Sequence, residues 1–257
     1  MVPLPGTIGG KDDPFLSTHW SVVLAAGEST DAPEAARVAL AQLCQTYWAP
    51  LYTFVRHRGY SVHDSQDLTQ SFFAYLIEQK IYARVDRRKG KFRPFLLASL
   101  KNFLSDAYDR EHALKRGGDK DFLPLIEHQA EEAESFFQSS AELSENKISE
   151  NEVFEQNWAE TLVTGALKRV RDDYKTAGRR NLFDNLQVFV MGSADPLPTY
   201  DELAARLGIP ASTLRSHVTR LRSDYRGALR MEVRRTVNSE SEVDEELREL
   251  LRVLKGR

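Results

Sequence analysis

Arginines and short hydroxyl side chains mix along one stretch: Ser212, Thr213, Arg215, Ser216, Thr219, Arg220, Arg222, Arg226 and Arg230. That mixture suits nucleic acid, because guanidinium forks grip phosphates or base edges while Ser and Thr give short hydrogen bonds. Among them Leu214, Val218, Leu221 and Tyr225 recur three and four residues apart, so a helix would separate an apolar stripe from the polar face. A second basic run, Arg84 to Lys120, includes Arg87, Arg88, Lys91, Arg93, Lys101 and Arg110, interleaved with Tyr82, Phe92, Phe95, Phe103 and Tyr108. Cations there can follow a strand's phosphates while a ring receives an unstacked base. The plainer reading puts most of those rings in a core.

Catalytic chemistry needs a convergence that the spacing does not supply. The six histidines (His19, His57, His63, His112, His128, His217) form no pair at metal-ligand spacing, and no glycine loop followed by lysine cradles a phosphate. Asp64 and Asp67 could hold a cation as an i, i+3 pair, but capping or a solvated helix face explains them more simply. The single cysteine, Cys44, excludes an intrachain disulfide, and Leu40, Ala41 and Leu43 around it suggest an apolar setting. An enzyme is therefore not expected, and neither is a cofactor or a resident metal.

The elements that must position these residues read as helices. Asp31, Pro33 and Glu34 open one pattern, which Pro50 should bend or break because it lacks an N–H. Ser61 and Asp64 can cap a helix whose apolar positions Leu68, Phe72, Phe73, Leu76 and Ile77 fall on one face. A third begins near Phe92 and ends before Gly117 and Gly118. Further patterns run through Trp158, Leu162, Leu167, Val170 and Tyr174, and through Leu182, Phe183, Leu186, Phe189 and Val190. Thr199 and Glu202 form a capping box before Leu203, Ala204 and Leu207. After the turn at Gly208 to Pro210, the arginine-bearing helix follows, giving the form of a helix-turn-helix. The last segment, with Leu247, Leu250, Leu251 and Leu254, is an acidic amphipathic helix that should pack on its own chain or on a partner.

Hydrophobic content of 41%, charged content of 28% and a net charge of -3 describe a globular chain without overall attraction to nucleic acid. The order of the charge matters more than its sum. Two basic modules flank an acidic stretch with Glu127, Glu131, Glu132, Glu134, Glu142, Glu145, Glu150, Glu152 and Glu155. No leader-like start or membrane-length apolar run is evident, so membrane insertion is not expected and a cytoplasmic location is.

His63 to Leu76, HDSQDLTQSFFAYL, resembles the region-two helix of bacterial sigma factors of the extracytoplasmic-function class, within the sigma-70 superfamily. Phe92 to Arg110, FRPFLLASLKNFLSDAYDR, is similar to the helix of that region which melts and reads the -10 element. Leu203 to Tyr225 resembles the region-four helix-turn-helix, and the length looks like an enlarged, planctomycete-like branch. The resemblance implies that Asp64, Asp67, Leu68 and Gln70 bind the clamp helices of the largest polymerase subunit, with region four at the flap. It implies that Lys91, Arg93, Lys101, Asn102 and Arg110 face the nontemplate -10 strand. Thr213, Arg215, Ser216, Thr219, Arg220 and Arg222 would grip the -35 element. Ser71 stands where the family usually has an acid, and Pro210 and Ala211 stand where a serine cap and an acid are common.

The expected fold is all-α: two small helical domains, sigma region 2 and a region 4 helix-turn-helix, joined by a long connector. The expected divisions are an N-terminal arm at 1–30, the region 2-like domain at 31–118 and an acidic connector at 119–155. The region 4-like domain follows at 156–236 and an acidic helical extension at 237–257. The partners implied are RNA polymerase core and promoter DNA, with room for an anti-sigma or other regulatory protein. The alternatives are a helix-turn-helix regulator without sigma activity and a partner-binding helical protein whose basic surfaces serve assembly.

Overall fold

The computed structural model describes residues 33–79, 92–113, part of 131–138, 149–192, 196–237 and 239–255. They form an all-α fold: α1 (Pro33–His57), α2 (Val62–Glu78), α3 (Phe92–Ala113), α4 (Glu150–Thr176), α5 (Arg180–Leu186), α6 (Val188–Met191), α7 (Tyr200–Leu207), α8 (Ala211–Arg234) and α9 (Glu240–Lys255). No strand occurs among the described residues, and no helix among them is long and apolar enough to cross a membrane.

Helices α2, α4 and α7 begin where a side chain satisfies orphan N–H groups of the first turn. The Ser61 hydroxyl accepts from the Asp64 N–H at 3.1 Å and starts α2. Reciprocal capping boxes start α7, through Thr199 and Glu202, and α4, through Ser149 and Glu152. The α4 box lies inside the stretch expected to be connector. Its acids conceal a helical pattern because Val153 and Phe154 are buried while Asn151 and Glu152 face out.

Pro50 does not end α1, which is assigned as helix from Pro33 to His57. Tyr47, Leu51, Tyr52 and Phe54 on both sides of it are fully buried. Their packing offsets the cost of an interior proline, about 3 kcal/mol from the missing hydrogen bond and the ring's clash with the preceding turn. The pattern from Leu182 to Val190 is also split: α5 and α6 meet at a turn at Gln187.

Two apolar clusters share α4. Its 27 residues span roughly 40 Å at 1.5 Å per residue. Phe154, Trp158 and Leu162 in its first half join α1, α2, α3 and α9 in the first core. Leu167, Val170 and Tyr174 in its second half join α5, α7 and α8 in the second. Helix α8 also reaches both, with Leu221 in the second core and Val233 in the first. The C-terminal helix packs on its own chain: Val243 and Leu250 are fully buried in the first core.

Part of the acidic stretch docks on α1. Arg56 donates to the Glu134 carboxylate from Nε at 3.0 Å and Nη2 at 3.1 Å, and the Tyr52 hydroxyl donates to the same carboxylate. The Phe137 ring packs edge-on to His57, with the Arg56 guanidinium 4.4 Å from its centroid. Leu123, Leu125, Ile126 and Phe136 of that stretch lie outside the described residues.

Candidate nucleic-acid interface

A tight turn sets α8 against α7. Gly208 closes α7 in the left-handed region (φ 65°), where a side chain would be strained, and Ile209 N–H returns to the Ala204 carbonyl at 3.1 Å. Pro210 then stands at the N-cap of α8 and supplies no side-chain cap. Leu214, Val218 and Leu221 point into the second core with at most 1% exposure, which turns the opposite face of α8 to solvent.

That outer face carries the residues singled out in the sequence. Thr213, Arg215, Ser216, Thr219, Arg220 and Arg222 are all exposed. The hydroxyls of Ser216 and Thr219 donate back to the carbonyls of Ser212 and Arg215, at 3.1 and 2.9 Å. They retain acceptor capacity toward a ligand. Arg220 extends 4.0 Å from Asp224 and its side chain is 65% exposed. Arg222 is more tethered, with Nε and Nη2 donating to the Phe189 carbonyl at 3.3 and 3.2 Å.

Sequence reasoning missed the platform beside this face. Phe189 and Tyr200 stack with centroids 5.0 Å apart and an interplanar angle of 1°, and Arg215 lies 5.8 Å from the Tyr200 ring. Arg215 lies near the Tyr200 ring and Arg222 bonds to the Phe189 carbonyl, so residues from three helices come together on one edge of α8. Ser223 and Arg226 are exposed on the same outer face, at positions that the spacing from Ser216, Thr219 and Arg222 already marks.

The other basic module is arranged differently. Arg93 is 5% exposed. Its Nη1 contacts Glu155, its Nη2 lies 3.2 Å from Glu246, and its guanidinium sits 3.8 Å from the Trp158 ring centroid. In this arrangement Arg93 faces the interior and does not meet a strand. Burial pushes the Glu155 carboxyl above its ordinary range; Arg93 opposes the shift, while Glu246 and Glu249 add to it. Lys101 donates to Asn151 Oδ1 at 2.6 Å, and Asn102 is exposed. Lys91 and the side chain of Arg110 lie outside the described residues, as do Tyr82 and the ring of Tyr108. Phe92 and Phe103 are core rings with 2% and 6% exposure, and Phe95 is half-buried.

The acidic set lies on α2. Asp64 is exposed and accepts from the Ser61 hydroxyl at 2.6 Å, while Asp67 lies 3.2 Å from His63 Nδ1. Leu68 packs against the first core and Gln70 is half-buried, so the carboxylates rest on a fixed apolar base. Among the described residues no three potential ligands could jointly hold a metal ion. Cys44 packs against the first core, and burial pushes its thiol up to about 12, which keeps it protonated and unreactive at neutral pH. No protein-family model, no curated protein and no solved structure matches this chain.

Proposed function

We propose that the protein is a bacterial sigma factor of the extracytoplasmic-function class, which binds RNA polymerase core and directs promoter-specific initiation. The observation that carries this reading is the outer face of α8. It is an exposed row of Arg215, Thr219, Arg220 and Arg226, set on a buried apolar stripe behind a tight glycine turn. A helix so mounted can enter a major groove, with forked and short donors toward bases and phosphates. In this reading α7 and α8 are the region-four helix-turn-helix. Thr213, Arg215, Ser216, Thr219 and Arg220 grip the -35 duplex, and Arg222 steadies the helix through Phe189. Asp64, Asp67, Leu68 and Gln70 on α2 meet the clamp helices, while Lys101, Asn102 and Arg110 approach the -10 strand. The site performs no chemistry; promoter selection arises from binding alone.

The inward arrangement of Arg93 favours a second reading, a duplex-binding regulator without sigma activity, since its α8 face needs no second DNA surface. Polymerase binding separates the two. Purified core should retain the full chain on a sizing column, and Asp64→Arg with Asp67→Arg should abolish co-elution without altering the helical circular-dichroism signal. Sequence-specific duplex binding with no core association would favour the regulator.

A further inference from the structure

The arginines of α8 form a longer row than the exposed face uses. Arg222, Arg226, Arg230 and Arg234 recur every four residues, so they stack along one side of the helix. The row changes character half-way. Arg226 faces solvent, whereas Arg230 pairs with Asp244 and with Glu240 at 3.2 Å, and Arg234 lies 2.9 Å from the same Glu240. Both carboxylates belong to α9 and stand one turn apart. On the far side of its apolar stripe, α9 presents Glu246 to Arg93 at 3.2 Å. One helix therefore engages three arginines drawn from both basic modules, with carboxylates on either side of Val243 and Leu250.

The contacts of α9 are of two kinds: Val243 and Leu250 are fully buried in the first core, whereas Glu240 and Asp244 meet α8 at the surface. The Arg230, Asp244 and Glu240 side chains are 42%, 63% and 52% exposed, so their pairing is weak and screened by salt. The buried Arg93–Glu246 pair is different in kind, because separating it strands a charge in the core. A polyanion that offers more phosphates than α9 offers carboxylates can compete for the surface guanidinium groups.

Resting on the DNA-binding reading above, we infer that α9 is an acidic latch. Its Glu240 and Asp244 cover a second phosphate-binding surface, formed by Arg230 and Arg234, and nucleic-acid backbone displaces those carboxylates. The exposed half of α8 engages duplex first. The covered half joins when those carboxylates yield, lengthening the contact along the backbone while Val243 and Leu250 keep α9 in the first core.

The test uses the full chain and a fluorescein-labelled DNA duplex of mixed sequence, with binding read by anisotropy at fixed salt. Glu240→Gln with Asp244→Asn should tighten binding on the order of tenfold beyond a charge-matched control, Asp172→Asn with Asp173→Asn on α4. Adding Arg230→Ala and Arg234→Ala should remove that gain. In the unsubstituted protein, saturating duplex should accelerate amide exchange around Asp244, near the start of α9. An equal gain in the control, or an unchanged exchange rate around Asp244 on saturation, would overturn the latch. Failure of the underlying reading looks different: the unsubstituted protein and its Arg215→Ala, Arg220→Ala variant would then bind duplex equally weakly.

Discussion

The two cores treat their charges in opposite ways. The first packs Trp158, Tyr47 and Phe92 around buried polar groups, with Arg93 at 5% and Glu246 at 2% exposure. The second is mainly aliphatic, built on Leu214, Val218 and Leu221, and its arginines stand outside it. The same residue type therefore serves two ends. In the first core a guanidinium ties α3, α4 and α9 together; over the second, guanidinium groups are held at the surface by a rigid apolar base. A basic run in a sequence does not reveal which of these it will become, because the answer depends on where the carboxylates fold.

Substitutions should break this contrast in a definite order. Arg93→Ala should have the largest effect, because it removes a buried guanidinium from beside the Glu246 carboxylate and uncovers the Trp158 face. A loss of about 3–5 kcal/mol in denaturant-measured stability is expected. Leu221→Ala should follow at about 2–4 kcal/mol from the second core, through lost burial and a residual cavity. Arg215→Ala with Arg220→Ala should change stability by less than about 0.5 kcal/mol, since both side chains are exposed, while weakening duplex binding at least tenfold. If Arg93→Ala proved as neutral to stability as the surface pair, the contrast would collapse.

The smallest effect concerns the docked acidic stretch. Burial alone would raise the Glu134 carboxyl, but hydrogen bonds from Arg56 and Tyr52 outweigh it and hold the group below its ordinary value. A depressed carboxyl stabilises docking above its unfolded pKa and loses that contribution as pH falls through the folded one. Proteolysis within 133–138 should therefore accelerate below roughly pH 5, and Glu134→Gln should flatten that dependence. Acceleration of equal size in the Gln variant would place the titrating group elsewhere.

Much of the helical layout was legible because its signals are local. Ser61 with Asp64, Thr199 with Glu202, and the Leu214, Val218, Leu221 stripe each occupy a few residues, and each lies where expected. Ser149 with Glu152 was equally readable as a capping box, yet the density of acids around it suggested a connector. The continuation of α1 through Pro50 was hidden because the compensating burial comes from other helices. The partners of Arg93 were beyond reach for the same reason: Glu155 and Glu246 lie on helices distant in sequence. The outer face of α8 was foreseen residue by residue, while the Phe189–Tyr200 stack needed the fold to bring its rings together.

The most direct test of promoter recognition is reconstituted transcription with bacterial core polymerase, this protein and a pooled promoter library, with RNA starts mapped. The account predicts protein-dependent starts that share paired upstream elements and are lost with Arg215→Ala and Arg220→Ala. Folded protein that binds active core yet adds no starts would contradict it.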